Sequence, residues 1–303
     1  MAIESVKLTL NGITSELTYN SESGFYEVAV IAPNETSYNN NSEHYFPLQI
    51  KATDSAGNSV TVNDTDVELG EALRLRVKEV TAPAIIITNP TEDELTSNSK
   101  PTVNWTVTDS GAGVNPDTIG ITINEGSKIT GGITKTAITN GYQCSYSISE
   151  TLEDGTNTIY IDASDYDDNE ATQRSVTFIV DTVPPSLSVV SPVNNLVTNQ
   201  NAVIVSGTAK DITAGLEKVT LKVNDGTETE LEIDSSGNFS KSITLQEGAN
   251  TIVVKALDTI GMSSSVTRIV TLDTVAPTIE EIAITPNPVN TGGIIKVSAK
   301  VTD

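Results

Sequence analysis

The sequence predicts an all-β chain of tandem antiparallel sandwiches, on three observations. Short Val/Ile/Thr runs with period-two alternation dominate, as in Val219–Val223, Thr251–Ala256 and Val266–Leu272; such alternation marks strands with one dry and one wet face. Asn, Asp, Gly and Pro interrupt these runs every ~8–12 residues, the spacing of a β-sandwich. Three boundary phrases, Glu79–Pro83, Asp181–Pro185 and Asp273–Pro277, recur at about one domain length, each between two apolar runs. Proline in such a phrase sets an extended backbone and withholds a ladder donor, which suits a linker entering an edge strand. A chain of 303 residues with 37% apolar and 19% charged residues has room for about two to three packed domains.

In chain order, residues 1–81 open at Ile3–Leu10 as though in the third strand of a sandwich. Val6–Gly12 aligns with Val219–Asp225, Gly24–Ile31 with Gly237–Thr244, and Leu48–Gly57 with Val253–Gly261. This domain therefore reads as incomplete, lacking its first two strands. Residues 82–181 carry seven strand patterns: Ala84–Thr88, Thr102–Thr108, Thr118–Asn124, Thr134–Ile138, Tyr142–Ile148, Thr158–Ala163 and Ser175–Val180. Trp105 faces inward by parity with Val103 and Val107 and reads as a core filler. Residues 182–273 carry the same plan in Ser186–Val190, Ala202–Ala209, Lys218–Asn224, Thr229–Ile233, Asn238–Leu245, Thr251–Leu257 and Ser264–Leu272. The fourth and fifth of these read as a hairpin through Asp234–Asn238. Residues 274–303 hold Thr278–Thr285 and Ile294–Thr302, which match the first two strands of the repeat.

One end thus carries what the other lacks. The expectation is a split domain completed by strand addition, with Ile282, Ile284, Ile295, Val297 and Val301 of the tail meeting the sheet of Val6, Leu8 and Leu10. Three arrangements stay open: the tail completes the head of a neighbouring copy, the tail returns to its own head, or both ends are truncations.

The Asp181-Thr-Val-Pro-Pro185 boundary, the Ala-x-Asp-x-x-Gly turns at Ala52–Gly57 and Ala256–Gly261, and the strand plan resemble bacterial and phage immunoglobulin-like repeats. The opening Met1–Leu10, with Ala52–Gly57, is most similar to proteins of phages of Gram-positive bacteria. The resemblance implies tandem immunoglobulin-like β-sandwich domains. It also implies a non-enzymatic structural or adhesion protein of a virion (tail, baseplate or capsid decoration), assembled in the host cytoplasm. Its partners would be other copies of itself, other virion proteins and a host cell-surface glycan. The alternative is a stalk or adhesin segment of a secreted bacterial cell-surface protein. For a glycan the candidate platform is Tyr38, Tyr45 and Phe46, read as exposed around the Asn-rich loop Asn39–His44, with core or loop anchoring as the default role.

A net charge of −23 argues against nucleic acid and anionic membrane surfaces, both of which need a basic footprint. No apolar run approaches the ~18 residues of a membrane span, and the first residues lack the basic stretch and apolar core of a signal peptide. Cys144 is the only cysteine, so it reads as a small buried hydrophobe and no intrachain disulfide is available. His44 is the only histidine and has no visible catalytic partner. No phosphate loop or activated nucleophile appears, and loops read as short; no enzyme is expected.

Acidic residues recur at one end of each predicted sandwich, in the incoming linker and in two loops. The sets are Glu79, Asp109 and Asp165, with Asp167 and Asp168 alongside; Asp181, Asp211 and Asp258; and, across the split repeat, Asp273, Asp303 and Asp54. The loop acid follows the linker acid by thirty positions each time (79 and 109, 181 and 211, 273 and 303). Converging carboxylates repel unless compensated, and hard oxygen ligands in flexible loops suit calcium at the interdomain joints. The competing reading is that these aspartates accept backbone N–H bonds in turns.

Overall fold

We describe residues 2–303 in a computed structural model. The chain divides into two units, Met1–Val180 and Asp181–Asp303.

In the first unit, β1 (Ile3–Leu10), β2 (Ile13–Asn20), β3 (Phe25–Glu27), β4 (Phe46–Asp54), β5 (Ser59–Asn63) and β6 (Arg74–Leu75) form one sheet, ordered β3-β2-β1-β4-β5 with β6 on β4. Asn11 and Gly12 close the β1–β2 hairpin with φ of 48° and 77°, the backbone that an Asn-Gly pair adopts most readily. Val6, Leu8 and Leu10 stand opposite Ala52, Ile50 and Leu48 of β4. Residues directly opposite share a face, so one face of the sheet is apolar. Among the described residues, 2–81 build no second sheet over it. Ala29–Asn34 lie beside Leu8, Leu10, Ile13 and Ser15, and the two sides enclose a groove of about 420 Å³.

Two sequence expectations fail in this region. The strand predicted over Gly24–Ile31 ends at Glu27, because β3 pairs only with β2; the strand that would lie along Val28–Ile31 is not beside it. The loops are not short: residues 28–45 and 64–73 hold no strand, only 3-10 turns at Ser37–Asn39 and Gly70–Leu73.

The rest of the first unit is a complete sandwich. Its strands are β7 (Ala84–Asn89), β8 (Leu95–Thr96), β9 (Thr102–Thr108), β10 (Gly120–Ile123), β11 (Thr134–Ile138), β12 (Gly141–Ser147), β13 (Gly155–Asp162) and β14 (Arg174–Val180). They form two sheets, β11-β12-β9-β7 and β10-β13-β14-β8. Alternation along β9 and β13 sends Val103, Trp105, Val107, Ile159 and Ile161 inward, all fully buried. Each such Val or Ile contributes ~1.5–3 kcal/mol by leaving water. Cys144 packs in the same core, and burial pushes its thiol up to about 11.

The second unit repeats the plan with β15 (Ser186–Ser191), β16 (Leu196–Thr198), β17 (Ala202–Lys210), β18 (Leu216–Val223), β19 (Thr229–Leu231), β20 (Asn238–Thr244), β21 (Gly248–Asp258) and β22 (Ser263–Leu272). Here the sheets are β15-β17-β20 and β16-β22-β21-β18-β19. The expected hairpin of Thr229–Ile233 with Asn238–Leu245 does not form as a strand pair. β19 joins β18, β20 joins β17, and a single Ile233–Phe239 bridge remains where the chain changes sheets. The reason lies in side-chain placement: Leu231 and Phe239 both bury in the core between the sheets, from opposite sides. These are tandem immunoglobulin-like β-sandwiches, all-β throughout.

β23 (Thr278–Thr285) and β24 (Lys296–Thr302) close the second unit as a two-stranded sheet that, among the described residues, pairs with no other strand. Every residue of both strands is exposed. Their register sets Ile279 opposite Val301, Ile282 opposite Ala299 and Ile284 opposite Val297, while Glu281 faces Lys300 and Thr285 faces Lys296. The hairpin therefore has one apolar and one polar face, and the apolar face is bare.

Candidate functional site

Three parts of the complete sandwiches bring carboxylates together: the incoming linker, the loop after β9 or β17, and the turn after β13 or β21. In the first unit these supply Glu79, Asp109 and Asp165; in the second, Asp181, Asp211 and Asp258. Each residue offers one carboxylate oxygen, and the oxygens of a triad all lie within 4.8 Å of one another. At that range and an effective dielectric of about 20, each ionised pair repels by on the order of 3 kcal/mol.

Backbone N–H groups hold the six side chains in matching ways. The Asp165 Oδ1 accepts from the N–H groups of Asp167 and Asn169, both at 2.8 Å. Its counterpart Asp258 Oδ1 accepts from Ile260 at 3.0 Å and Met262 at 2.8 Å. The Asp211 Oδ1 accepts from Thr213 and Gly215, and the Asp109 Oδ1 from Gly111. Linker acids reach across to the same place in each loop: Ala112 N–H donates to Glu79, and Ala214 N–H donates to Asp181 at 2.9 Å. An Asp at the head of a turn that accepts from positions two and four ahead is ordinary turn chemistry, so part of each triad is accounted for by its loops.

One oxygen in each triad has no such partner. Asp109 is 7% exposed and Asp258 is fully buried, and the Oδ2 of each is buried without a hydrogen-bond partner. In the first triad the equivalent oxygen of Asp165 is satisfied by the Asn169 amide at 2.7 Å; the side chain of Met262, at that position in the second, has no N–H donor. Among the described residues, no Lys, Arg or His forms an ion pair with any of the six acids. Lys78, near the first triad, instead pairs with Asp168 at 2.8 Å and with the Asp167 carbonyl.

The third predicted set is not brought together in this way. Asp54 accepts from the N–H groups of Ala56 and Asn58 and from the Asn58 amide, and those bonds hold its carboxyl below the ordinary range. Asp273 is exposed and accepts from Val275 N–H; Asp303 is exposed. None of the three joins a converging group among the described residues. Of the tail and head residues predicted to meet, Ile282, Ile284, Ile295, Val297 and Val301 are exposed, whereas Val6 and Leu10 are buried and Leu8 half-buried.

The reading of Tyr38, Tyr45 and Phe46 as exposed is corrected, and they take the default anchoring role. Tyr45 and Phe46 are buried at 8% and 3% exposure, Tyr45 donating to Asp64 at 2.7 Å beneath the Arg74 guanidinium. Tyr38 is sandwiched between His44 and Tyr166, ring centroids 4.0 Å away on either side, and burial first, then Tyr166, pushes its hydroxyl up to about 12. These rings anchor the long loop of residues 28–45 through their own packing, so they present no open face for a sugar.

Sequence reasoning missed the backbone donors of Ala112 and Ala214. A signal was present, since Asp109–Gly113 and Asp211–Gly215 both read Asp-x-x-Ala-Gly.

Residues 185–274 match the family model described as glucodextranase, domain B. No curated protein sequence matches the chain. Among solved structures, similar chains include domains A168–A170 of titin, 14% identical over 88% of this chain and 86% of that one, at a TM-score of 0.38. A structure concerned with host cell surface retention of a 1.5-MDa bacterial ice-binding adhesin is 22% identical, covers 90% and 88%, and has a TM-score of 0.36. The fibronectin(III)-like modules of Clostridium thermocellum CbhA are 15% identical over 63% and 94%, at 0.32. TM-scores this low support no assignment, so the sandwich architecture rests on the sheets and registers above.

Proposed function

We propose that this chain is a non-enzymatic structural protein of a phage particle that assembles copy to copy, the β23–β24 hairpin of one copy completing the open sandwich of the next. One observation carries the reading: matching registers with unequal burial. Val223, Leu221 and Val219 face Ile252, Val254 and Ala256, and the latter three are fully buried. The same pattern in the first sheet sets Leu10, Leu8 and Val6 against Leu48, Ile50 and Ala52, and those three are only half-buried. In the complete sandwich the covering sheet is β15-β17-β20. By sequence β23 and β24 are the counterparts of β15 and β17, and residues 25–31 the counterpart of β20.

The fit is energetically sufficient. Burying Ile279, Ile282, Ile284, Ile295, Val297 and Val301 gains on the order of 10 kcal/mol before ordering costs. Strand addition also supplies main-chain bonds along residues 28–31. Such head-to-tail contacts close into rings or run on as fibres. The non-enzymatic reading is supported by the state of the two side chains best suited to chemistry: Cys144 is buried with a raised pKa, and His44 is stacked on Tyr38 with Nδ1 on its carbonyl. The phage setting is supported by the resemblance of Met1–Leu10, with Ala52–Gly57, to proteins of phages of Gram-positive bacteria.

Light scattering on the chromatographed chain tests the reading. The chain is expected to form oligomers whose mass rises with concentration, and Ile282→Asp and Val297→Asp each return it to monomer. A wild-type chain that stays monomeric at every concentration overturns copy-to-copy assembly. That result favours the rival setting, a stalk or adhesin segment on a bacterial surface, where sandwiches follow one another without completing each other.

A further inference from the structure

We infer that each acidic triad binds one Ca²⁺, held by Glu79, Asp109 and Asp165 in the first unit and by Asp181, Asp211 and Asp258 in the second. This does not depend on how copies assemble. Three independent features of the site point to a cation. The oxygens converge: oxygens bound to one Ca²⁺ at ~2.3–2.6 Å lie at most ~5 Å apart, and each triad spans no more than 4.8 Å. Each triad also contains a buried carboxylate oxygen, Asp109 Oδ2 or Asp258 Oδ2, that no donor of the described residues satisfies. A buried carboxylate oxygen left without a partner is costly, and a bound cation removes that cost. Finally, no cationic side chain among the described residues forms an ion pair with the six acids, so only N–H dipoles contact the converging charges.

The chemistry selects calcium over softer metals. All donors are carboxylate oxygens, no His or Cys belongs to either triad, and the ligands come from a linker, an irregular loop and a turn that begins at or just after a strand's end. That is a hard, adaptable oxygen set, open to further carbonyl or water ligands, as Ca²⁺ requires. The backbone bonds already described orient one oxygen of Asp109 and of Asp258 and leave the other for the ion. One ion would tie the linker acid, Glu79 or Asp181, to both loops of the sandwich it enters, and so stiffen that entry.

The test is titration of the full chain, stripped with EDTA, with CaCl₂ by isothermal calorimetry, folding being checked by circular dichroism. The expected isotherm has two sites per chain. Asp109→Asn and Asp258→Asn each keep the Oδ1 acceptor for the turn but remove a charged ligand, so each is expected to lose one site or weaken it at least tenfold. The exposed Asp234→Asn, whose turn belongs to no triad, keeps both. Should Asp258→Asn fail to fold, the half-buried Asp211→Asn tests the same site. A folded chain that takes up no calcium overturns the inference, as does a two-site isotherm unchanged in both the Asp109 variant and the second-triad variant.

Discussion

Replacing Asn157 by alanine is expected to weaken the first complete sandwich through a network of polar bonds at the start of β13. Asn157 is 2% exposed. Its amide donates to the carbonyls of Glu153 and Gly155, both at 3.0 Å, and its Oδ1 accepts from the Asn124 amide at 3.0 Å. Asn124 in turn accepts from Thr158 N–H at 2.8 Å and sits at φ 51°, ending β10. Alanine deletes three bonds with a net value of ~0.5–1.5 kcal/mol each, a loss of ~2–4 kcal/mol. Trp105 is the only tryptophan and is fully buried in this sandwich, so its fluorescence reports the transition. With an m-value of ~1–1.5 kcal/mol per molar urea for a domain of this size, the midpoint should fall by ~2 M. Asn250 anchors the same network in the second unit, with Gln246, Gly248 and Asn224 as partners. Asn250→Ala is therefore expected to lower a transition seen by circular dichroism while leaving that of Trp105 in place. The reasoning is refuted if Asn157→Ala shifts the Trp105 midpoint by less than about 0.5 M, or if Asn250→Ala shifts it equally.

Three further outcomes are expected. Gly207→Ala should destabilise the second unit by at least ~2 kcal/mol in thermal or urea melts, because its Cβ would come 2.0 Å from the Ser188 carbonyl oxygen and 2.7 Å from the Phe239 ring, splitting β15 from β17. Cys144, buried with its thiol pushed up to about 11, should resist a thiol-specific disulfide reagent at mildly alkaline pH in the native chain and react fully in urea. Asp234, whose carboxyl is held below 3.8 by the Asn238 side chain and then by backbone N–H groups, contributes stability that is present above pH 3.8 and lost as pH falls through its lower folded-state value. Asp234→Asn should therefore lower stability near neutral pH by a small amount and flatten the acid limb of a stability–pH curve.

Strand positions in the two complete sandwiches were legible because their alternation is clean: Val103, Trp105 and Val107 read inward and are buried. β8 and β16 were not, since two or three residues after a proline turn are too few to show a period. Which sheet a short strand joins was also hidden. Thr134–Ile138 pairs with β12, whereas Thr229–Leu231 leaves β20 for β18, a choice made by core packing across the sandwich. The turn after β13 escaped the Ala-x-Asp-x-x-Gly pattern because Asp168 occupies the glycine position, at φ 70° where Gly261 has 90°. The linker and first-loop acids of the two triads stood out through their thirty-residue spacing; the orphan Asp258 oxygen did not, because it depends on Met262 standing where the first turn has the donor side chain of Asn169. The aromatic cluster at Tyr38 misled because exposure in an Asn-rich loop is set by stacking partners distant in sequence, Tyr166 above all.

In the proposed assembly the tail hairpin of one copy lies along residues 25–31 of another. In the complete sandwich β17 sets Ile204 opposite Ser242 of β20; the aligned counterparts are Lys296 and Ala29, both exposed. Mixing an Ala29→Cys chain with a Lys296→Cys chain under oxidising conditions measures the contact, because only two different copies can form the cross-linked pair. The expected product is a covalent dimer containing one of each, at a yield well above that of either variant oxidised alone. Mixed dimers no more abundant than in those separate controls would contradict it.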